Sequence, residues 1–168
     1  MCNNLFCTKP YVVSLFGHRK TNEHRQIEKS ITEIVTKLSE ENPNIDFWIG
    51  RNGEFDVYCA SLIKGLKKEQ DLQGVNLNLV IPYPLADINY YEDYYDSVIY
   101  PHCLYHVHPK RAITERNRFM IDHSDLVTVY VNEKHGGAYN AMRYAEYTGK
   151  RVINIAEEYG VSPSDYFV

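Results

Sequence analysis

Short apolar runs alternate with longer amphipathic stretches along most of the chain. In the first amphipathic stretch Ile27, Ile31, Ile34 and Leu38 recur at steps of three and four, which gives a helix one apolar face. The apolar runs are short and rich in β-branched and aromatic residues, which is typical of buried strands. They predict five strands, at YVVSLF (11–16), IDFWIG (45–50), LNLVI (77–81), LVTVYV (126–131) and RVINI (151–155).

Residues 82–110 interrupt this alternation, because they show no clean period. A long segment of this kind inside a compact domain is usually a lid or a binding segment, and its aromatic content argues against disorder. We therefore predict a tyrosine-rich insertion or lid, whose rings either stack on a bound base or fill a subunit interface. Its tyrosines include Tyr90, Tyr91, Tyr94, Tyr95 and Tyr100.

Strands that alternate with helices build a parallel sheet with helices on both faces. The expected fold class is therefore α/β, a Rossmann-like open parallel sheet of about five strands. A chain of 168 residues is too short for two domains of ordinary size, so we expect one domain over residues 1–168.

The charge and the cysteine content indicate which partners and which cellular compartment to expect. The formal net charge is −4, and the 18 Lys and Arg residues are scattered among 22 acidic residues, so nucleic acid is an unexpected partner. No secretory signal or long apolar run is present, and the cysteines show no CxxC spacing. We expect a cytoplasmic protein away from membranes, with reduced thiols at Cys2, Cys7, Cys59 and Cys103.

Two loops that follow predicted strands carry polar chemistry. Gly17 comes directly after the first strand, and His18, Arg19 and Lys20 behind it are donors suited to phosphate or carboxylate. The second strand is followed by GRNGEFD, residues 50–56, in which two glycines flank an Arg-Asn pair. Its aspartate either accepts a hydrogen bond from a ribose hydroxyl or is only an acid favoured by the helix dipole.

A third loop joins the fourth strand to a helix through Gly136 and Gly137. Free backbone N–H groups at a helix start form an anion site. A tight turn explains one glycine, whereas a bound phosphate explains both. Because the carboxyl ends of parallel strands lie along one edge of a sheet, we expect these three loops to form one ligand site. The chain has neither GxGxxG nor GxxxxGK[ST], so dehydrogenase and P-loop functions are excluded.

Four motifs in this order resemble the SLOG superfamily, a Rossmann-like group named after DNA-processing protein A and the Lonely Guy phosphoribohydrolases. They are SLFGHRK, FWIGRNGEFD, RAITERNRFMIDHSDLVTVYV and HGGAYNAMRYAEYTGKRVINI, which together extend over roughly residues 11–155. The resemblance implies a nucleotide-derived ligand with its phosphate on the paired-glycine loop. Members of the superfamily either cut a base from a ribose phosphate or only bind a nucleotide.

The sequence departs from the hydrolase pattern in the motif that carries the catalytic glutamate. Lonely Guy enzymes have PGGxGTxxE with a catalytic final glutamate, but here the proline, third glycine, threonine and glutamate are His135, Tyr139, Asn140 and Arg143. An arginine opposes the positive charge that develops at the anomeric carbon. Glu146 is one turn further on and would have to reach inward to replace the glutamate.

The family's arginine-bearing helix motif is matched by Glu115, Arg116 and Asn117, so ligand binding is expected to persist without hydrolysis. The remaining carboxylates that could act in catalysis are Glu115, Asp56 and Glu146. His102, Cys103, His106 and His108 match no common zinc spacing, and we expect no metal.

The predicted function is binding of a nucleotide or an NAD- or ADP-ribose-derived phosphate ligand, as a sensor or sequestering protein with weak or no catalysis and no other cofactor. One alternative is a nucleotide phosphoribohydrolase or deoxyribosyltransferase, and another is an oligomeric interaction module with a vestigial pocket. A homo-oligomer is expected. The predicted ligand-binding residues are Gly17, His18, Arg19, Gly50, Arg51, Asn52, Asp56, Arg116, Asn117, Gly136, Gly137 and Ala138.

Overall fold

The computed structural model describes residues 9–156, which form one parallel six-stranded sheet with helices on both faces. The strands are β1 (Tyr11–Gly17), β2 (Ile45–Ile49), β3 (Val75–Val80), β4 (Ser97–Ile99), β5 (Leu126–Tyr130) and β6 (Arg151–Asn154). The helices are α1 (His24–Glu41), α2 (Glu54–Glu69), α3 (Ile88–Tyr94), α4 (Pro109–Asp122) and α5 (Gly136–Tyr147), with a short 3₁₀ helix at His102–Leu104. The strand order is β4-β3-β2-β1-β5-β6. The α/β, Rossmann-like prediction is confirmed.

Each face of the sheet has its own apolar core. On one face, Val13 and Phe47 of the central strands pack with α1 and α2 residues such as Ile31 and Ile63, all of them fully buried. On the other face, Val127 and Val129 of β5 pack with Met120 of α4 and with alanines of α5. Because neighbouring side chains of a strand point to opposite faces, the continuous apolar runs seen in the sequence are those of strands buried on both sides.

The prediction of about five strands omitted β4. This strand has only three residues, which is too short to show a period of its own. It pairs with β3 at the edge of the sheet, and the Asp96 side chain before it accepts a hydrogen bond from the backbone N–H of Leu77 at 2.7 Å.

The tyrosine-rich residues 82–110 contain α3, β4 and the 3₁₀ helix. Tyr95 is 9% exposed and belongs to the core, and Tyr91 and Tyr94 pack against that core from α3. Tyr100 stacks on Tyr105 with the ring centroids 4.7 Å apart. These rings therefore serve packing within the domain, and the proposed role in a subunit interface stays a prediction.

The termini of the expected domain and two of the cysteines, Cys2 and Cys7, lie outside the described residues. Cys59 is buried and Cys103 is exposed, and both are free thiols. Within residues 9–156, no helix has the length and apolar character needed to cross a membrane.

Candidate functional site

A cavity of about 540 Å³ opens at the carboxyl ends of β2, β1 and β5. These three strands are neighbours in the sheet, so the loops that follow them meet along one edge. The volume is within the range of roughly 300–1,000 Å³ that small-molecule sites occupy. The lining residues are Leu15, Phe16, Gly17, His18, Arg19, Lys20, Gly50, Asn52, Gly53, Asp56, Ile113, Arg116, Asn117, Glu133, His135, Gly136, Gly137 and Ala138.

Backbone contacts hold the loops after β1 and β2 together. The N–H of Glu54 donates to the carbonyl of Arg19 at 2.8 Å, and the Glu54 carboxylate accepts from the N–H of Thr21 at 3.3 Å. A Cβ placed on Gly53 would lie 2.7 Å from the Arg19 Cα. Glycine is therefore needed at position 53 so that the two loops can approach this closely.

His18 connects the loop after β1 to the loop after β5. Its Nε2 accepts from the backbone N–H groups of Asn132 and Glu133, each at 3.3 Å. A protonated ring nitrogen cannot accept these bonds, so this geometry requires neutral His18. Burial lowers the pKa of His18, with Glu133 acting in the opposite direction and His135 in the same one.

The glycine pair begins α5 and faces the cavity. Gly136 has a φ of +90°, a conformation that other residues rarely adopt, and a Cβ on Gly137 would meet no heavy atom within 4 Å. No side chain caps this helix start, and the first turn carries no acidic residue. The first N–H groups of a helix have no partner within it, so this end of α5 presents donors and a positive dipole to the cavity.

Asp56 lies in the first turn of α2 and is 9% exposed. Its Oδ2 accepts from the backbone N–H of Asn52 at 2.9 Å. Burial raises the pKa of Asp56 to about 6, although Arg116 and the Asn52 N–H both lower it. The site thus holds a carboxyl group that ionises close to neutral pH.

Arg116 of α4 is 3% exposed and packs against the loop after β2. One terminal guanidinium nitrogen donates to the carbonyl of Val80 at 2.8 Å. A Cβ on Gly50 would lie 2.4 Å from that nitrogen, so the guanidinium occupies the space that any larger residue at position 50 would need. Burial lowers the pKa of Arg116, whereas the negative charge of Asp56 raises the pKa of Arg116.

Three buried side-chain atoms beside the cavity have no hydrogen-bond partner within the described chain. They are Nδ2 of Asn52, Nε of Arg116 and Oδ1 of Asn117. A buried polar atom left without a partner costs about 1–3 kcal/mol.

All but one of the predicted ligand-binding residues line the cavity. The exception is Arg51, whose guanidinium lies 4.5 Å from the centroid of the Tyr91 ring. The loop positions were predictable because glycines and polar residues follow strands there. Lys20 was noted in the sequence as a donor, whereas six other lining residues were missed as site residues: Leu15, Phe16, Gly53, Ile113, Glu133 and His135. All of these except Glu133 lie within the quoted motifs, but their residue types gave no signal of a ligand.

Only one of the three candidate catalytic carboxylates, Asp56, lines the cavity. Glu115 instead forms ion pairs with Arg111 and Arg118 on α4. Glu146 pairs with Arg143 on the exposed side of α5 at 2.5 Å. Helix geometry explains this placement, because positions 143 and 146 are three residues apart and lie on one face, here turned to solvent.

Two further groups from the sequence lie outside the cavity lining. The aromatic wall expected from Tyr90, Tyr91, Tyr94, Tyr95 and Tyr100 does not line the described cavity. Four of these rings pack in or against the core, and Tyr90 is exposed and contacts the ring of Tyr91. Within residues 9–156, His, Cys, Asp and Glu side chains form no group of three placed to hold a metal ion.

Solved structures share this fold at low sequence identity. DNA processing protein A from Streptococcus pneumoniae superposes with a TM-score of 0.62 and 18% identity, covering 94% of this chain and 54% of that one. DNA processing protein A from Helicobacter pylori, whose structure is described in terms of its single-stranded DNA binding mode, superposes with a TM-score of 0.57 and 16% identity. The match covers 85% of this chain and 64% of that one. The molybdenum cofactor binding protein from Rippkaea orientalis superposes with a TM-score of 0.54 and 13% identity, and the match covers 88% of this chain and 77% of that one.

The chain therefore shares the Rossmann-like fold of these proteins. It spans less than two thirds of the length of either DNA processing protein A structure. No protein-family model matches the sequence, and no curated protein sequence matches it.

Proposed function

We propose that this protein binds a nucleotide or an NAD- or ADP-ribose-derived phosphate ligand and acts as a sensor or sequestering protein without strong catalysis. The observation that carries the proposal is the uncapped start of α5, at Gly136 and Gly137, which borders a cavity of nucleotide size. Backbone N–H groups and the helix dipole favour an anion at such a position.

The charges around the cavity support a phosphate at α5 and not at α2. Arg19 and Lys20 bring positive charge to the cavity from the loop after β1. The first turn of α2 already carries two carboxylates of its own, Glu54 and Asp56, which would repel a second anion. These charges support the proposal that the phosphate binds at the glycine pair.

The carboxylates argue for binding without hydrolysis. Glu115 and Glu146 are engaged in ion pairs away from the cavity lining. Asp56 does line the cavity, but the buried Arg116 is close enough to lower its pKa. A cation beside the sugar opposes the positive charge that glycosidic cleavage develops.

Thermal unfolding with nucleotides tests the proposal. The probes are nucleoside mono- and diphosphates, NAD, ADP-ribose and cyclic ADP-ribose, with mass spectrometry of each mixture afterwards. A ligand present at one hundred times its dissociation constant adds about 2.7 kcal/mol to stability. Gly137→Val should abolish the shift, because Gly137 lines the cavity and the added Cβ meets no protein atom, so the protein still folds while the valine takes up space beside the helix start.

Gly65→Val is the matched control. Gly65 is also a helical glycine whose Cβ would meet no atom within 4 Å, but it lies in α2 outside the cavity lining. This variant should keep the full ligand-induced shift. An equal shift in Gly137→Val would refute the placement of the phosphate.

The same experiment separates the other functions. Intact ligand after a shift supports a binding protein, and released base supports a phosphoribohydrolase or transferase acting through Asp56. Absence of a shift with every probe would leave the interaction module with a vestigial pocket. Single-stranded DNA is included as a probe, because the H. pylori neighbour is described as binding it, and a shift with DNA alone would overturn the proposal.

A further inference from the structure

A histidine ring occupies two backbone donors of the loop that leads into α5. The N–H groups of Asn132 and Glu133 both donate to Nε2 of His18, each at 3.3 Å. Two successive N–H groups that converge on one atom form a concavity of the kind that binds anions. The imidazole nitrogen therefore takes the place that an oxygen of an anion would take.

These two donors lie close to the glycine pair. His18, Glu133 and both glycines line the same cavity. Glu133 precedes Gly136 by three residues, and three residues of chain span at most about 11 Å. A pyrophosphate with a hydrogen bond at each end can therefore contact both the N–H groups that His18 occupies and the start of α5.

The contact between His18 and this loop exists only while the ring is neutral. Because Nε2 accepts, the single proton of the neutral ring is on Nδ1. A proton on Nε2 would point at the two N–H groups, so an imidazolium ring has to turn away from them. Protonation thus frees two backbone donors and creates a cation beside the cavity, and both changes favour a bound anion.

The charges around His18 set how readily it takes up this proton. Burial lowers the pKa of His18, the Glu133 carboxylate raises it and His135 lowers it. The other charged residues of the cavity lining are Arg19, Lys20, Asp56 and Arg116. An anion bound in the cavity adds negative charge near the ring and so raises the pKa of His18.

We propose that His18 couples ligand binding at the glycine pair to the uptake of one proton, so that pyrophosphate ligands bind more tightly as pH falls from about 8 to about 6. On binding, phosphate oxygens accept from the N–H groups of Asn132 and Glu133. The displaced His18 ring takes a proton from solvent and donates to the anion. The coupling rests on the proposed function, since it requires a phosphate beside the glycine pair.

Calorimetric titration of the full chain with ADP-ribose and with NAD tests the coupling. The phosphates of both probes are diesters whose charge is constant near neutral pH, whereas a phosphate monoester titrates at about pH 6. One proton changes affinity by at most tenfold per pH unit, and the expected rise between about pH 8 and about pH 6 is roughly tenfold. Binding enthalpies measured in buffers of different ionisation enthalpy should show uptake of a fraction of one proton at about pH 7.

Two matched variants, His18→Gln and His135→Gln, assign the proton to one ring. A glutamine oxygen at position 18 can accept from the two N–H groups but takes up no proton, so His18→Gln should abolish the uptake. His135 is the other histidine of the cavity lining, and its Nε2 lies 3.0 Å from the Glu133 carboxylate. The His135→Gln variant should keep the uptake, and the reverse pattern would overturn the inference.

NMR titration of the wild-type protein measures the same coupling without a substitution. The ring signals of His18 should give a pKa below the ordinary value of 6.5 in the free protein and above it with saturating ADP-ribose. A side chain needed only for structure would titrate alike in both samples. An unchanged pKa on binding would therefore contradict the proposal even if His18→Gln fails to fold.

The outcomes separate this inference from the proposed function. If affinity does not vary with pH and Gly137→Val abolishes binding, the nucleotide site stands and the proton coupling is refuted. Affinity that falls with pH would also refute the coupling, because neutral His18 would then hold the loop in its binding conformation. If neither probe binds at any pH, both proposals fail.

Discussion

Replacing Asp56 with asparagine should stabilise the protein at neutral and alkaline pH. Burial raises the pKa of Asp56 from 3.8 to about 6, even with Arg116 and the Asn52 N–H lowering it. A shift of about two units, at about 1.36 kcal/mol per unit, makes the ionised carboxylate cost the folded state about 3 kcal/mol at most. This free-energy cost already includes the favourable attraction between the Asp56 carboxylate and the Arg116 guanidinium. Asparagine has the same shape, keeps an acceptor for the Asn52 N–H and carries no charge.

The sign of the pH dependence follows from proton binding. Between about pH 4 and pH 6 the folded state binds more protons at Asp56 than the unfolded chain does, so stability falls as pH rises. The contribution of neutral Asp56 is complete below the ordinary pKa of 3.8 and is lost as pH rises through about 6. The stability difference between variant and wild type should be near zero at about pH 3.5 and largest above about pH 7.

Urea unfolding followed by tryptophan fluorescence measures this difference. Trp48 is the only tryptophan of the chain, is 9% exposed and stacks on Phe119 with the ring centroids 5.7 Å apart. Unfolding exposes it and changes its emission. Asp93→Asn, at an exposed position of α3, controls for loss of a surface carboxylate. A destabilised Asp56→Asn at about pH 8, or a difference that does not vary with pH, would refute the reasoning.

Further substitutions test the packing and electrostatics of the site. Gly50→Ala forces a Cβ to within 2.4 Å of a buried guanidinium nitrogen and should cost about 1–3 kcal/mol of unfolding free energy, whereas Gly65→Ala in α2 should stabilise by about 0.5–1 kcal/mol. Burial lowers the pKa of His18, so the folded state favours the neutral imidazole. The stability that neutral His18 confers is therefore present above the ordinary histidine pKa of 6.5 and is lost as pH falls below it. His18→Gln should remove that loss in urea titrations across pH 5–7. Glu115→Gln and Glu146→Gln should leave nucleotide affinity unchanged in calorimetry, and a large loss for either would contradict their placement outside the cavity.

The fold was readable from the sequence wherever an element was long enough to show its own period. The isoleucines of α1 and the apolar runs of β1 and β5 carry that signal alone, because burial of one helix face or of both strand faces leaves a local pattern. The edge strand β4 carries no such signal. Its pairing with β3 depends on partners about twenty residues away, such as the Asp96 side chain and the Leu77 N–H.

The site was predictable as a set of loops but not as an arrangement of atoms. Glycines and polar residues after strands identified the three loops, since strand carboxyl ends of a parallel sheet share one edge. The sequence could not show that Arg51 turns to the Tyr91 ring or that Glu146 pairs with Arg143. Side-chain direction at a loop or on a helix surface depends on which neighbours the packed elements supply.

By itself, the sequence determined the alternation of strands and helices outside residues 82–110, the fold class and the glycine pair at the start of α5, because these follow from local periodicity and backbone chemistry. Only the tertiary structure decided that Asp56 is buried beside Arg116, with a pKa raised to about 6. The physical reason is that desolvation and charge pairing depend on distances between residues far apart in the chain, and folding alone sets those distances.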